Sequence, residues 1–591
     1  MANKEVIDII KNAISLETHY DVNDLQDNQS FETMGLESVV MVSVINRLEK
    51  VFGSLPKTLL FEYGTIKDLS EYLSLKYSVY EDTSERINNL DTTVSKNEDN
   101  FNSETSDVET KSDSILNIEN LTVEMSKYDD SHDFAQDTND VAIIGIYGRF
   151  PMADNLDEFW NNLVDGKDCI SEIPDSLIEK NSSFGNLSEA RWGGFIKGID
   201  KFDPLFFNMS NREAEMIDPQ ERLLLEEVYH TLEDAGYHRK RLNNSKVGVY
   251  MGAMWNQYQL YGNIDGSAES FISSLANRIS YFFDFNGPSI GVDTMCSSSL
   301  TSVYLACMNL KNKDIDYALA GGVNLDMHPS KHLYLSKLGF AARDGRCRSF
   351  GEGGTGYVPG DGVGAVMLKR LSDAIKDGDR IHAVIKSIEI NHSGKSTGYS
   401  APNPNSQVEL MEKTFLKTDI SPADVGYMEM HGTGTALGDP IEVRAATKFF
   451  SKYVKHNEVC PIGSVKSNIG HLEAAAGFSQ IAKVLLQFKH SKLVPSIHSQ
   501  VLNKNIDFEK TPFYVQRELC DWPNKYKYIN GKKEVIPKTA TVSSFGAGGS
   551  NSFMILQEWK NDKHRDFGEI TDNDVLILLS AKTEASLKNK I

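Results

Sequence analysis

From Val141 to about residue 558, short apolar runs alternate with longer amphipathic stretches. That alternation confines this part of the chain to a layered α/β architecture. VAIIGIYG, starting at Val141, is an unbroken apolar run closing in glycine, the pattern of a strand buried on both faces. VGVYMGA, YALAGGVN, AVIKSIEI, VGYMEM and CPIGSV read as further strands. DPQERLLLEEVYHTLEDAG, SSLTSVYLACMNL and EAAAGFSQIAKVLLQF read as helices. The full length of 591 residues exceeds one ordinary core, so the chain divides into several folding units.

Residues 1–80 carry a different text. Val6, Ile10, Ala13 and Ile14 fall on one helical face, and so do Met41, Ile45, Leu48 and Phe52, with Gly53 placed to stop that helix. A last helix near Ile66–Leu75 completes a small all-α bundle. Residues 81–139 lose this periodicity. Between Glu81 and Asp140 stand 17 acidic and 4 basic residues, the composition of a flexible acidic linker. Such a linker of about 59 residues has a reach of roughly 40 Å. Residues 560–591 begin something new: VLILLSAKTEASLKNKI reads as a strand and the start of a helix, cut off.

Charge narrows the function classes. The net charge of −22 speaks against nucleic-acid binding by bulk electrostatics. No secretory signal pattern opens the chain, and no apolar run is long enough for a membrane helix. Cys169, Cys296, Cys307, Cys347, Cys460 and Cys520 show no metal-like spacing, so neither a disulfide framework nor a zinc site is expected, and a reducing cytoplasm is.

One cysteine differs from the rest. In VDTMCSSSL, Cys296 follows a strand and precedes a helix, where free N–H groups and the helix dipole favour a thiolate. An isolated cysteine is more often structural, and Cys307, at helical spacing on an apolar face, reads as core. Two histidines stand at similar junctions. His431 opens the glycine-rich turn HGTGT, and His471 closes KSNIGH. A lone histidine is usually a satisfied buried side chain, but two at such turns beside a candidate nucleophile favour catalysis. Lys466 lies five residues before His471 in an apolar, glycine-rich setting that argues against an exposed lysine.

These three segments, in this order and spacing, closely resemble the active site of β-ketoacyl synthases, the ketosynthases of polyketide synthases above all. The resemblance spans about 140–559. It implies a thiolase-like five-layered (αβαβα) fold and a homodimer. It implies that Cys296 is the acylated nucleophile and that His431 and His471 stabilise charge when a malonyl thioester loses carbon dioxide. Lys466 would support the site electrostatically, Thr433 and Thr435 would contact a pantetheine arm, and the backbone N–H groups of Cys296 and Ala547 would form the oxyanion hole. Ala547 stands where fatty-acid enzymes have a bulky aromatic gate, so a wider mouth is expected. The chain departs from the usual NAH at Asn551, Ser552 and Phe553, outside the catalytic set.

MGLESVV resembles the attachment site of acyl carrier proteins, with Glu37 in place of the commoner aspartate. Ser38 alone reads equally as a helix cap. The whole-domain resemblance, including LPKTLLFEYGTIKDLSEYL, selects it as the residue carrying 4'-phosphopantetheine. The expected organisation is then a carrier at 1–80, a linker at 81–139, a ketosynthase at 140–559 and the start of a following region at 560–591. Expected partners are its own and downstream carriers, neighbouring synthase modules and a separate acyltransferase. A non-extending ketosynthase that only transfers chains, a carrier-recruiting scaffold and a thiolase-like enzyme using free coenzyme A are the alternatives. The intact His431 counts against the first, the complete cysteine–histidine set against the second and the attached carrier against the third.

Overall fold

The computed structural model describes residues 3–76, 139–560 and 579–590, with breaks at 19, 32–33, 35, 37, 175–190, 263–267, 397, 455–459 and 530. The expected linker therefore lies outside the described residues save Asn139, and so does most of the strand expected after residue 574.

The first unit is the anticipated helical bundle. Helices α1 (Asn3–Glu17), α2 (Ser38–Phe52) and α3 (Leu59–Glu62) are followed by helix over 66–76. Val6, Ile10 and Ile14 pack with Met41, Ile45, Leu48 and Phe52 in one core, so the predicted faces meet. Gly53 ends α2 at a φ of 67°, a conformation that costs other residues a clash at Cβ.

In the second unit, eleven strands join one sheet. They are β1 (Val141–Arg149), β2 (Val247–Gly252), β3 (Ser289–Val292), β4 (Tyr317–Asn324), β5 (Gly362–Arg370) and β6 (Ala383–His392). The others are β7 (Tyr427–Glu429), β8 (Cys460–Gly463), β9 (Phe513–Val515), β10 (Thr539–Phe545) and β11 (Ser550–Glu558). Their spatial order is β9-β8-β7-β10-β11-β6-β1-β5-β4-β2-β3. The sheet is a duplication joined by the short pairing of β1 with β6. In the first half β1, β5 and β4 pair antiparallel, then β4, β2 and β3 parallel. In the second half β6, β11 and β10 pair antiparallel, then β10, β7 and β8 parallel.

Side chains alternate along β1 in the manner of any pleated strand. Val141 and Ile143 enter a central core, and Ala142 and Ile144 enter an outer one. The central core holds Leu300, Val303 and Cys307 of helix α5 (Ser298–Lys311) and Phe478, Ile481 and Leu485 of helix α7 (Ala476–His490), with Val542 and Met554 from the second half. Helix α4 (Pro219–Asp234) covers the first half through Leu224 and Val228. Helix α6 (Gly438–Phe450) covers the second through Val443 and Phe449. The order outer helix, sheet, central helices, sheet, outer helix is the five-layered αβαβα fold. Cys307 sits in the core as expected, fully buried.

Two elements depart from the sequence reading. VGYMEM contributes only Tyr427–Glu429 to the sheet. A surface ribbon, Tyr526–Ile529 against Lys532–Val535, turns at Gly531 with a φ of 78°. Its Asn530-Gly531 pair is a hairpin signal that the alternation argument passed over. Among the described residues no helix is long and apolar enough to cross a membrane.

Candidate active site

Cys296 sits on a sharp elbow between β3 and α5. Met295 takes a φ of 57°, unusual for a residue with a side chain. The three serines that follow the cysteine hold this elbow. The Ser297 hydroxyl donates to the carbonyl of Thr294 at 2.8 Å and of Ser550 at 2.9 Å. The Ser298 hydroxyl donates to the Met295 carbonyl at 2.6 Å and accepts from the Thr294 N–H at 2.9 Å. The Ser299 hydroxyl accepts from the Phe478 N–H at 3.1 Å, so the N-termini of the two central helices meet here. Gly252 lets β2 pass beneath, because a Cβ there would lie 2.9 Å from the Ser298 backbone.

The expected thiolate bias is overturned. Burial, reinforced by the charge of Glu473, pushes the Cys296 thiol up to about 12. Lys466 and the N–H groups of Ala547 and of Cys296 itself oppose that shift without reversing it. Helix polarity is visible in sequence and depth of burial is not, and burial is the larger effect. Cys307, Cys347 and Cys460 are pushed equally far by burial, so the thiol's acidity does not single out Cys296. What singles it out is the pair of backbone N–H groups at its sulfur, those of Ala547 and of Cys296 itself.

His431 and His471 come together, their ring centroids 5.4 Å apart and nearly perpendicular. His471 Nδ1 accepts from the Glu473 N–H at 3.0 Å, and His431 Nδ1 accepts from the Phe545 N–H at 3.3 Å. Each imidazole therefore carries its proton on Nε2. Burial, then the charge of Lys466, holds both well below the usual histidine range, so both are neutral donors at pH 7. The Nε2 of His471 is buried with no hydrogen-bond partner among the described residues. An unpaired buried donor is costly and marks a place where an acceptor can be received.

The turn carrying His431 is fixed by carboxylates that the sequence reading missed. Glu442 accepts from the N–H groups of His431 at 2.8 Å and Gly432 at 2.9 Å, and from the Ser543 hydroxyl at 2.7 Å. Asp439 accepts from the Gly434 N–H at 3.1 Å and the Phe350 N–H at 2.7 Å. Gly434 has a φ of 79° and would place a Cβ 2.5 Å from the Arg348 nitrogen, which explains the second glycine of HGTGT. The Thr433 and Thr435 hydroxyls lie 3.3 Å apart on this turn.

Lys466 is 1 % exposed, as its setting implied. Burial lowers its affinity for a proton, against Glu429, Glu442 and Cys296, which raise it. Its ammonium makes no hydrogen bond among the described residues. Two buried ion clusters surround the site, neither foreseen. In one, Lys483 meets Glu429 at 2.8 Å. In the other, Lys331 meets Glu473 at 2.6 Å and Asp326 at 3.1 Å. Glu473 also accepts from the Tyr357 hydroxyl at 3.0 Å and the Trp255 Nε1–H at 2.7 Å, and Tyr357 stands edge-on to His471 at 4.9 Å. Acidic residues set in apolar runs, Glu429 at the end of β7 and Glu473 just ahead of α7, were the available signal. Away from this site, Ser38 is the first residue of α2.

Comparison with known proteins bears on this geometry. The N-terminal domain of β-ketoacyl synthases matches residues 138–374 and their C-terminal domain matches 382–500. A phosphopantetheine attachment site matches 8–73, and the C-terminal extension of ketoacyl synthetases matches 503–591. Polyketide synthase PksL of Bacillus subtilis is 44 % identical over 586 residues, which are 95 % of this chain and 13 % of that protein. The chain thus spans a small part of the curated relatives it matches. Among solved structures, the oxazolomycin ketosynthase domain OzmH KS7 of Streptomyces albus is 47 % identical with a TM-score of 0.69, over 72 % of this chain and 76 % of that one. The ketosynthase from module 6 of the bacillaene synthase of Bacillus subtilis is 40 % identical with a TM-score of 0.71, over 76 % of both chains.

Proposed function

The chain belongs to the β-ketoacyl synthases, as a ketosynthase of the polyketide type with a phosphopantetheine carrier domain ahead of it, and on that premise we propose how its residues act. Cys296 takes an acyl chain from a carrier thioester, and the synthase joins that chain to a malonyl unit with loss of carbon dioxide. The reading gives the enzyme an acyltransferase step followed by carbon–carbon bond formation.

One observation carries it: neutral His431 and His471, each presenting Nε2–H, share the influence of Lys466 with a sulfur reached by two backbone N–H groups. During loading, the thioester carbonyl oxygen lies against the N–H groups of Cys296 and Ala547. Cys296 sulfur bonds to the carbonyl carbon, the carrier sulfur leaves, and the proton of the Cys296 thiol passes to it. During extension, the two histidines donate to the malonyl thioester oxygen as the C–C bond to the carboxylate breaks and negative charge moves onto that oxygen. The enolate carbon then bonds to the acyl carbonyl carbon on Cys296, the C–S bond to the cysteine breaks, and the departing Cys296 sulfur takes up one proton from solvent to restore the thiol. Lys466 lowers the cost of negative charge throughout, and Thr433 and Thr435 hold the arm.

Ser38 is the attachment residue in this reading, and the arm supplies there a transferable thioester. We take 1–80 as the carrier, 81–139 as the linker, 140–559 as the synthase and 560–591 as the start of the next region. Downstream carriers, neighbouring modules and a separate acyltransferase complete the set of partners, and the six free cysteines suit a reducing cytoplasm. A homodimer is supported by the sheet edge at β3, beside which Phe271, Tyr281 and Ile290 are exposed at 64, 85 and 41 %. The test is to load the chain with an acyl surrogate and add a malonyl carrier. A β-keto product two carbons longer, with carbon dioxide released, is expected. Acyl transfer to the added carrier without carbon dioxide would establish the non-extending reading instead.

A further inference from the structure

Helix α6 begins at the threonine turn, where the Gly438 N–H donates to Thr435 Oγ1 at 3.1 Å. Six residues on, about 9 Å along the axis, it presents Arg444. Lys448 and Lys452 follow at four-residue spacing, so cations line one face of the helix and its C-terminal end. Two of these have neighbours within the synthase: Lys448 donates to Asn405 at 3.0 Å and Lys452 pairs with Glu412 at 2.7 Å. Arg444 is occupied differently. Its partners are in the other unit: it donates to the Thr58 hydroxyl at 2.5 Å and forms an ion pair with Glu62. Thr58 in turn donates to Glu62 at 2.7 Å, so the three side chains close a triangle. Thr58 is 4 % exposed although it heads a helix of only four residues.

The elements involved bear on the arm. On the carrier, α3 is tied to the turn that leads into Ser38: the Phe31 N–H donates to the Gly64 carbonyl at 3.0 Å, Ser30 bridges Thr65, and the Leu36 N–H donates to the Phe31 carbonyl at 3.0 Å. On the synthase, α6 grows from the turn that holds Thr433 and Thr435. The contact thus joins the end of the carrier from which the arm would leave to the helix beside the turn that would receive it. The charges agree as well, since residues 1–76 hold twelve carboxylates against seven cations.

Resting on the assignment of Ser38 and Cys296 above, we propose that α6 is a docking seat for the chain's own carrier, engaged through Thr58 and Glu62 on Arg444, and that it serves delivery in cis. The size of the contact selects the occupant. A partly exposed ion pair with one hydroxyl contact is worth little by itself, too little to hold a free carrier. A covalently attached carrier is present at an effective concentration on the order of millimolar, where a weak seat fills.

The experiment uses the full chain with its arm added and acylated, and follows acyl migration from Ser38 to Cys296 in a single turnover by peptide mass spectrometry. Arg444→Glu and Glu62→Arg should each slow migration about tenfold, and the double exchange should restore it to within about threefold, as a directly coupled pair does. Loading of Cys296 from a small soluble thioester is the control and should be the same in all four proteins. Migration at the wild-type rate in Arg444→Glu would overturn the seat. So would a double exchange no faster than the slower single variant. Failure of the wild-type protein to load from the soluble thioester would count against Cys296 itself, a separate result from either of these.

Discussion

The two halves of the synthase share one strand pattern and divide the chemistry between them. In the first half the strand farthest from the junction ends at Cys296. In the second, the corresponding strand leads to Lys466 and His471, and the strand beside it leads to His431. In the proposed mechanism one half supplies the atom that is acylated and the other supplies the donors that stabilise negative charge. Their supports differ too. In the first half the elbow is held by neutral hydroxyls, Ser297, Ser298 and Ser299. In the second the histidine turn is held by the carboxylates Glu442 and Asp439. A duplicated frame therefore does not duplicate function. It brings two helix N-termini to one point and leaves each half to fill that point with different side chains.

The largest expected effect breaks the comparison at the nucleophile. Cys296→Ala should give no covalent acyl adduct, whereas Cys307→Ala, a change in the central core, should load normally; intact-protein mass spectrometry reads both. An adduct of equal yield on Cys296→Ala would move the nucleophile elsewhere.

The next sharpens the contrast between the two buried ion clusters. Glu429→Gln leaves Lys483 without its acidic partner among the described residues and should cost about 3–5 kcal/mol of stability, the usual consequence of an uncompensated buried charge. Glu473→Gln should cost less, because Asp326 still faces Lys331. Urea unfolding of the two variants orders them, and the reverse order would contradict the role given to Asp326.

The smallest effect concerns pH. Both histidines are held well below their ordinary value, so lowering pH from 7.5 to 6 should leave them neutral in the folded protein and condensation should not fall through their protonation. Stability should respond in the opposite sense. Below the unfolded value of about 6.5 the unfolded chain binds protons that these histidines refuse, so stability declines as pH falls. A condensation rate that drops along a single protonation near 6.5 would show a histidine free to ionise.

Much of this was legible in sequence because the signals are local. The strand runs, the helix faces of the carrier, and the turns holding Cys296, His431 and His471 each declare themselves within ten residues. The buried state of Lys466 followed from its apolar neighbours. What escaped depends on distance along the chain. Lys331 and Glu473 are 142 residues apart in sequence, and nothing near either names the other. The duplication lies in strand pairing, not in any repeated motif. The direction of the Cys296 shift was misjudged because the helix N-terminus is visible in sequence and the depth of burial is not. Glu442 was within reach, eleven residues after His431, but a carboxylate in an amphipathic helix reads first as a surface residue.

The division of labour is tested most directly by His431→Ala in a single turnover. The variant is first acylated on Cys296, then given a malonyl carrier, and both the acyl-enzyme and the carbon dioxide are followed. Loading should reach wild-type extent, while carbon dioxide release and product formation fall by about 10²–10³-fold, the cost of losing one donor to a developing oxyanion. Condensation at near wild-type rate from a fully loaded His431→Ala protein would contradict the account, because His431 would then not be one of the donors.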